Sequence, residues 1–187
     1  IIALTIEVSN GRVPVMAGTG SNSTEEAINL TRYAKNAGAD SALIVMPYYN
    51  KPTQEGMHAH FKAINDAVDL PLFIYNIPGR SVVDMSVETM VKLAKLENII
   101  GVKDASNDPI RPTLLKNALD GQEFIQLSGE DPSQLPFMAA GGDGIISVTA
   151  NVAPSLMAKF HKLWNDEKVV EARILQEKMM PLHTSLF

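Results

Sequence analysis

The stretch NIIGVKDAS, residues 98 to 106, carries a single lysine, Lys103, at the end of a short and almost uncharged run. A lysine there either emerges into water or is held dry. Held dry, the ammonium is disfavoured, and the neutral amine that results can attack a carbonyl carbon to form a Schiff base. Making and breaking the carbinolamine needs a proton relay, which tyrosine hydroxyls can supply, and an arginine can grip a substrate carboxylate with two parallel hydrogen bonds. Those residue types stand at the ends of neighbouring apolar runs: Tyr48, Tyr49 and Asn50 after one, Tyr75, Asn76 and Arg80 after the next, then Lys103. Thr19 and Asn22, Ser128 and Glu130, and Ser147 and Thr149 end the other runs. Singly, a strand-end lysine is more often solvated and a strand-end tyrosine more often packs at a rim. Their coincidence at one end of adjacent runs is what points to chemistry.

The elements that must position these residues are legible as a repeat. VPVMAG (13–18), SALIVMP (41–47), LPLFIYN (70–76), NIIGVK (98–103), EFIQLSG (123–129) and GIISVT (144–149) are apolar and β-rich, and each is followed by turn residues and a helical pattern. The runs are continuous rather than alternating, as parallel strands buried on both faces require. Their spacing is that of a strand–helix unit. Ser23 with Glu26 reads as a capping box; Thr53 opens TQEGMHAHFKAINDAV, Ser86 opens SVETMVKLAKL, and Pro132 stands near the start of another helix. APSLMAKFHKLW and KVVEARILQEKMM close the chain as two helices.

Two architectures fit such a repeat, a doubly wound open sheet and a (β/α)₈ barrel. GTGSNS (18–23) lacks the third glycine of a dinucleotide-binding turn, so that signal is weak. Six units with an interrupted start suit a barrel without its first two, and a full barrel runs to roughly 250 residues. The expectation is α/β, a (β/α)₈ TIM barrel represented by strands 3–8 and their helices. Residues 1–187 form a single partial domain, with a C-terminal helical region starting at about 167–187. Ile1 in place of a methionine, the absence of a leader-like start in IIALTIEVSNGR and the apolar ending MMPLHTSLF suggest a protein that continues at both ends.

Composition narrows the function classes. The 187 residues are 45% apolar and 20% charged, ordinary for a globular domain. A formal charge of −5 with scattered Lys and Arg gives no footprint for nucleic acid, and no run is long enough to span a membrane. The chain has no cysteine, which excludes disulfides, thiolate zinc sites and a thiol nucleophile, and fits a cytoplasmic protein. His58 and His60 are two apart on one helix and point to different faces, so a surface role is expected for both, and likewise for His161 and His183. No metal site is expected. AAGGDG (139–144) looks like a phosphate cradle but precedes its strand, which places it at the face opposite the chemistry, as a plain turn.

PYYNKPTQEG (47–56), YNIPGRS (75–81), IIGVKDAS (99–106), LSGED (127–131) and GIISVTANVAP (144–154) together resemble the dihydrodipicolinate synthase (4-hydroxy-tetrahydrodipicolinate synthase) family, over the whole chain. The resemblance implies a lysine-dependent barrel lyase, a homotetramer built as a dimer of dimers. It implies condensation of pyruvate with L-aspartate 4-semialdehyde, in lysine and diaminopimelate biosynthesis, with no metal or organic cofactor beyond the covalent Schiff base. By the same resemblance Lys103 is the Schiff-base lysine, Tyr75 the adjacent proton relay, and Tyr49 a tyrosine lent to the neighbouring subunit. Arg80 is the arginine for the semialdehyde carboxylate, and Ile146 and Gly129 line the pyruvate pocket. Asn22, Glu26 and Tyr48 match residues that bind the inhibitor lysine in feedback-inhibited members.

Two departures stand out. The family's GTTGE segment, whose threonine joins the two tyrosines, would precede Ile1, and two inhibitor-site histidines would lie there too. Asp104 stands where many members have Glu, a mild change. Two other readings share these residues. One is a sister aldolase of the N-acetylneuraminate lyase or keto-deoxy-sugar-acid type, although the PYYNKP and GRS contexts favour the synthase. The other is a truncated, non-catalytic chain.

Overall fold

The structure, a computed structural model, describes residues 1–186; Phe187, the last residue of the expected C-terminal helical region, lies outside them. Six strands run β1 (Met16–Gly18), β2 (Ser41–Val45), β3 (Leu72–Asn76), β4 (Ile99–Asp104), β5 (Ile125–Ser128) and β6 (Gly144–Ile145). All pair in parallel and in sequential order, β1-β2-β3-β4-β5-β6. A doubly wound sheet would reverse its strand order at a switch point. Sequential order is barrel order, and the chain forms the greater part of a (β/α)₈ barrel.

Nine helices surround and flank the sheet among the described residues: α1 (Ile2–Ser9), α2 (Thr24–Ala37), α3 (Gln54–Ala67), α4 (Pro78–Ser81), α5 (Val87–Ala94), α6 (Arg111–Ala118), α7 (Gln134–Ala139), α8 (Pro154–Asn165) and α9 (Val169–Ser185). Three of them start on a side-chain cap. Ser23, Thr53 and Ser86 accept from the backbone N–H of Glu26, Gly56 and Thr89, which satisfies donors the first turn leaves unpaired. The capping box at Ser23 is only half made, because the Glu26 carboxylate takes the Ser21 hydroxyl at 2.5 Å instead of reaching back to the cap.

The outward side chains of the central strands, Ala42, Ile44, Leu72, Ile74 and Val102, are buried against Met57, Phe61, Ile64, Met90 and Leu93 from α3 and α5. Burial of each large side chain removes apolar surface from water and contributes roughly 1.5–3 kcal/mol. The inward residues Leu43, Val45 and Leu127 are only partly covered. Alternation along each strand therefore places packing on one face and the cavity on the other. A second core joins Met138 and Phe160 to Ala172, Leu175 and Met179, and so seats α9 on α7 and α8.

The sixth run departs from expectation. GIISVT reads by sequence as a strand to 149, but β6 ends at Ile145 and residues 149–151 form a 3₁₀ turn. The reason is a side chain: the Asp131 carboxylate accepts the backbone N–H groups of Val148 and Thr149, at 2.9 and 3.2 Å, and draws the chain off the sheet. AAGGDG is a turn, with Gly141 at φ +101°. A Cβ on the next residue, Gly142, would stand 2.3 Å from the Phe137 ring.

Candidate active site

Strand register sets the central pair. Tyr75 of β3 lies opposite Lys103 of β4, and Asn76 opposite Asp104. Tyr75 and Lys103 face inward, and the lysine Nζ sits over the tyrosine ring, 3.9 Å from its centroid. Their neighbours Asn76 and Asp104 face outward and are buried.

A cavity of about 470 Å³ opens at this end of the strands, lined by Tyr75, Ile77, Arg80, Lys103, Ala105, Gly129, Glu130 and Val148, among others. A second hollow of about 430 Å³ shares Tyr75 and Arg80 and continues inward past Gly18, Gly20 and Tyr48. Gly129 has a steric reason to be glycine. An added Cβ would lie 2.6 Å from Ala105 Cβ and 3.1 Å from Lys103 Cε, so a side chain there would push the lysine aside.

Burial pushes the Lys103 pKa below that of an ordinary lysine, against the opposing pull of the Glu130 and Asp131 carboxylates. Burial pushes the Tyr75 phenol up, and the Glu130 charge adds to this while Arg80 works against it. Glu130 is itself raised, first by burial; Lys103 and Arg80 oppose that shift and Asp131 reinforces it. These are the conditions for chemistry at one point: an amine eased toward its neutral form beside a phenol kept protonated.

The remaining residues singled out from sequence lie at different depths. Arg80 is exposed at the rim, on the one-turn helix α4, which is capped by Val82 in the left-handed region at φ +69°. Left-handed backbone is strained for a β-branched residue. Tyr49 is 88% exposed and lies outside both hollows, on a turn where it and Lys51 take φ of +71° and +48°. Ile146, one residue past β6, donates its N–H to the Ser128 carbonyl at 2.9 Å; the cavity wall there is Val148. Asn22 accepts Asn50 Nδ2 on its carbonyl at 2.9 Å, Glu26 borders a shallow groove with Leu30 and Tyr33, and Tyr48 lines the inner hollow.

Two polar networks behind these residues were not foreseen. Outside β3 and β4, Asn76 Nδ2 donates to Asp84 Oδ1 at 2.7 Å and to Asp104 Oδ2 at 3.2 Å. Arg111 grips Asp84 with both terminal nitrogens, at 3.1 and 2.7 Å, and its Nε lies 3.6 Å from Asp104. Asp104, a mild substitution by sequence, is thus the buried acceptor that joins the ends of β3 and β4. The second network centres on Asp131. The sequence signal for both was slight, a lone Arg opening α6 and the acidic pair in LSGED.

The histidines correct the surface reading. His60 is 4% exposed, its Nδ1 pairs with Thr24 Oγ1 at 2.9 Å, and burial pushes its pKa down to about 4. His183 is fully buried against Thr149 Oγ1 at 2.7 Å. His58 and His161 are half-buried. Three or more His, Cys, Asp or Glu side chains nowhere cluster as metal ligands among the described residues. No helix among them is long and apolar enough to cross a membrane.

The Dihydrodipicolinate synthetase family matches the chain over residues 1–187. The chain belongs to this family. The 4-hydroxy-tetrahydrodipicolinate synthase of Rhodospirillum centenum is 62% identical over 187 residues, all of this chain and 64% of that protein. That of Bradyrhizobium diazoefficiens is 56% identical over the whole chain and 63% of its own length. Among solved structures, the chloride-inhibited dihydrodipicolinate synthase of Acinetobacter baumannii complexed with pyruvate superposes with a TM-score of 0.95 at 49% identity, over all of this chain and 64% of that one. The chain therefore spans somewhat under two thirds of the length of the dihydrodipicolinate synthetase family members it matches.

Proposed function

We propose that the protein condenses pyruvate with L-aspartate 4-semialdehyde through a Schiff base on Lys103. The product is 4-hydroxy-tetrahydrodipicolinate, on the route to diaminopimelate and lysine. The observation that carries this is the half-buried Lys103–Tyr75 pair at the strand ends of a barrel whose family is established. The neutral Nζ attacks the ketone carbon of pyruvate, and loss of water gives the imine. Removal of a methyl proton gives the enamine, whose carbon attacks the aldehyde and forms the new carbon–carbon bond. The semialdehyde's own amine then attacks the imine carbon, closes the ring and releases Lys103.

In this scheme Tyr75, held protonated, delivers and recovers the protons of the carbinolamine, and Gly129 leaves room for the lysine stem. Arg80 at the rim receives the semialdehyde carboxylate. Ile146 lies beside the pocket as a backbone brace. The exposure of Tyr49 suits a residue that serves a second subunit, in a homotetramer arranged as a dimer of dimers. Asn22, Glu26 and Tyr48 form the candidate site for inhibitor lysine. The reaction as drawn needs no cofactor, its substrates are small and water-soluble, and the cytoplasm is the compartment proposed.

Borohydride reduction of the full-length protein with pyruvate tests the first step. A reduced adduct mapped by peptide mass to Lys103, and absent in Lys103→Arg, is the expected result. Turnover with L-aspartate 4-semialdehyde but not with N-acetylmannosamine separates the synthase from the sister aldolases. An adduct on another lysine, or none, rejects the mechanism.

A further inference from the structure

We propose that Asp131, Thr149 and His183 act as positioning residues for the Lys103 pocket, coupling the last helix, α9, to the wall that faces the lysine. The inference rests on the reading of Lys103 as the Schiff-base lysine.

The chain of contacts is continuous. Val148 is part of the cavity wall, and its N–H donates to Asp131 Oδ2 at 2.9 Å, as does that of Thr149 at 3.2 Å. Ser147 donates its hydroxyl to Asp131 Oδ1 and accepts the Ala150 N–H at 2.9 Å. One carboxylate thus holds the whole 147–149 turn. Asp131 also follows Gly129 and Glu130, which meet the lysine stem and line the cavity, so a shift of Asp131 disturbs both walls at once.

Helix α9 fixes this assembly at two points. His183 Nδ1 pairs with Thr149 Oγ1 at 2.7 Å. Gln176 Nε2 donates to the Asp131 carbonyl at 2.9 Å and the Pro132 carbonyl at 3.2 Å, while Gln134 donates to Gln176 Oε1 at 2.7 Å. Gln176 and His183 are seven residues apart and share a face with Ala172 and Met179, as helix periodicity requires. Asp131, Thr149 and His183 are each 0% exposed. Apolar side chains would hold a helix in place as firmly as buried polar ones, or more so. What polar partners add is a fixed geometry, and here that geometry ends at the pocket.

The test uses the full-length protein with pyruvate, reading the trapping rate at Lys103, KM for pyruvate against kcat, and melting temperature. Thr149→Val and His183→Leu are each expected to slow trapping and raise KM about tenfold or more, as misplacement of a reacting group does. Thr149→Ser keeps both within about twofold, and the double variant is no worse than either single, because the pair acts as one unit. Lower melting temperatures with parental trapping rates and KM would reduce the pair to a structural role and overturn the proposal. Should His183→Leu not fold, Gln176→Met, which cuts the other tie, is read in the same way. A parent protein that forms no adduct at Lys103 overturns the Schiff-base reading and this inference with it; an adduct in the parent with unaltered variants overturns the inference alone.

Discussion

The Arg111 network and the Asp131 network back the same cavity from two sides, but the outer carboxylate of the first is open to water while the central carboxylate of the second is not. The Asp84 side chain is 45% exposed, whereas Asp104 at the inner end of that network is 4% exposed. Asp131, Gln134, Thr149 and His183 are all closed off from solvent. The Arg111 network balances two carboxylates with one guanidinium, and it ties β3 to β4 beside Tyr75 and Lys103. The Asp131 network satisfies one carboxylate with hydroxyl and backbone N–H donors and ties two loops to α9. Charge pairing therefore fixes the lysine's own strand, and hydrogen bonds from uncharged donors to a single carboxylate fix the wall opposite it. The difference teaches that the two sides of the pocket can be disturbed separately.

Arg111→Ala should have the largest effect on stability. It strands Asp104 without its cationic partner, and breaking a buried pair in this way costs about 3–5 kcal/mol. Chemical denaturation would register the loss. Because the same network fixes the end of β4, slower trapping at Lys103 is expected in the same variant, with KM for pyruvate less affected than by Thr149→Val. Equal effects of both variants on KM would erase the distinction between the two sides.

His60 lies outside both networks and serves as the control. Its folded pKa of about 4 lies below the ordinary 6.5. On acidification the unfolded chain takes up the proton first, so stability is full above pH 6.5, falls between 6.5 and 4, and levels off below that. The displacement corresponds to up to about 3 kcal/mol. A His60→Asn variant should flatten this part of the stability–pH curve while leaving the rate of adduct formation unchanged. A curve that keeps its slope would move the acid sensitivity to other groups.

Much of this architecture was legible because parallel strands buried by helices read as continuous apolar runs. The runs that carry Tyr75 and Lys103 marked two central strands, and Ser23, Thr53 and Ser86 announced their helices through caps that act within four residues. What stayed hidden depends on contacts across the chain. Nothing local in GIISVT shows that Asp131 will pull the segment out of the sheet. His60 and His183 carry no local mark of burial either, because each finds its threonine partner more than thirty residues away. Gln176 and His183 break an otherwise apolar stripe on α9, an irregularity that marks a polar tie beside the acidic pair in LSGED. Register produced the central contact of the site: Tyr75 and Lys103 stand apart in sequence and become neighbours only when β3 pairs with β4.

The central claim is that Lys103 is a nucleophile because partial burial eases its ammonium toward the neutral amine. Its most direct test is the initial rate of borohydride-trapped pyruvate adduct at Lys103, measured across pH in the full-length protein. Burial favours the neutral amine, so the rate should rise with pH and level off below the ordinary lysine value of about 10.4. A rise that continues to that value, or an adduct formed mainly on other lysines, would contradict the account.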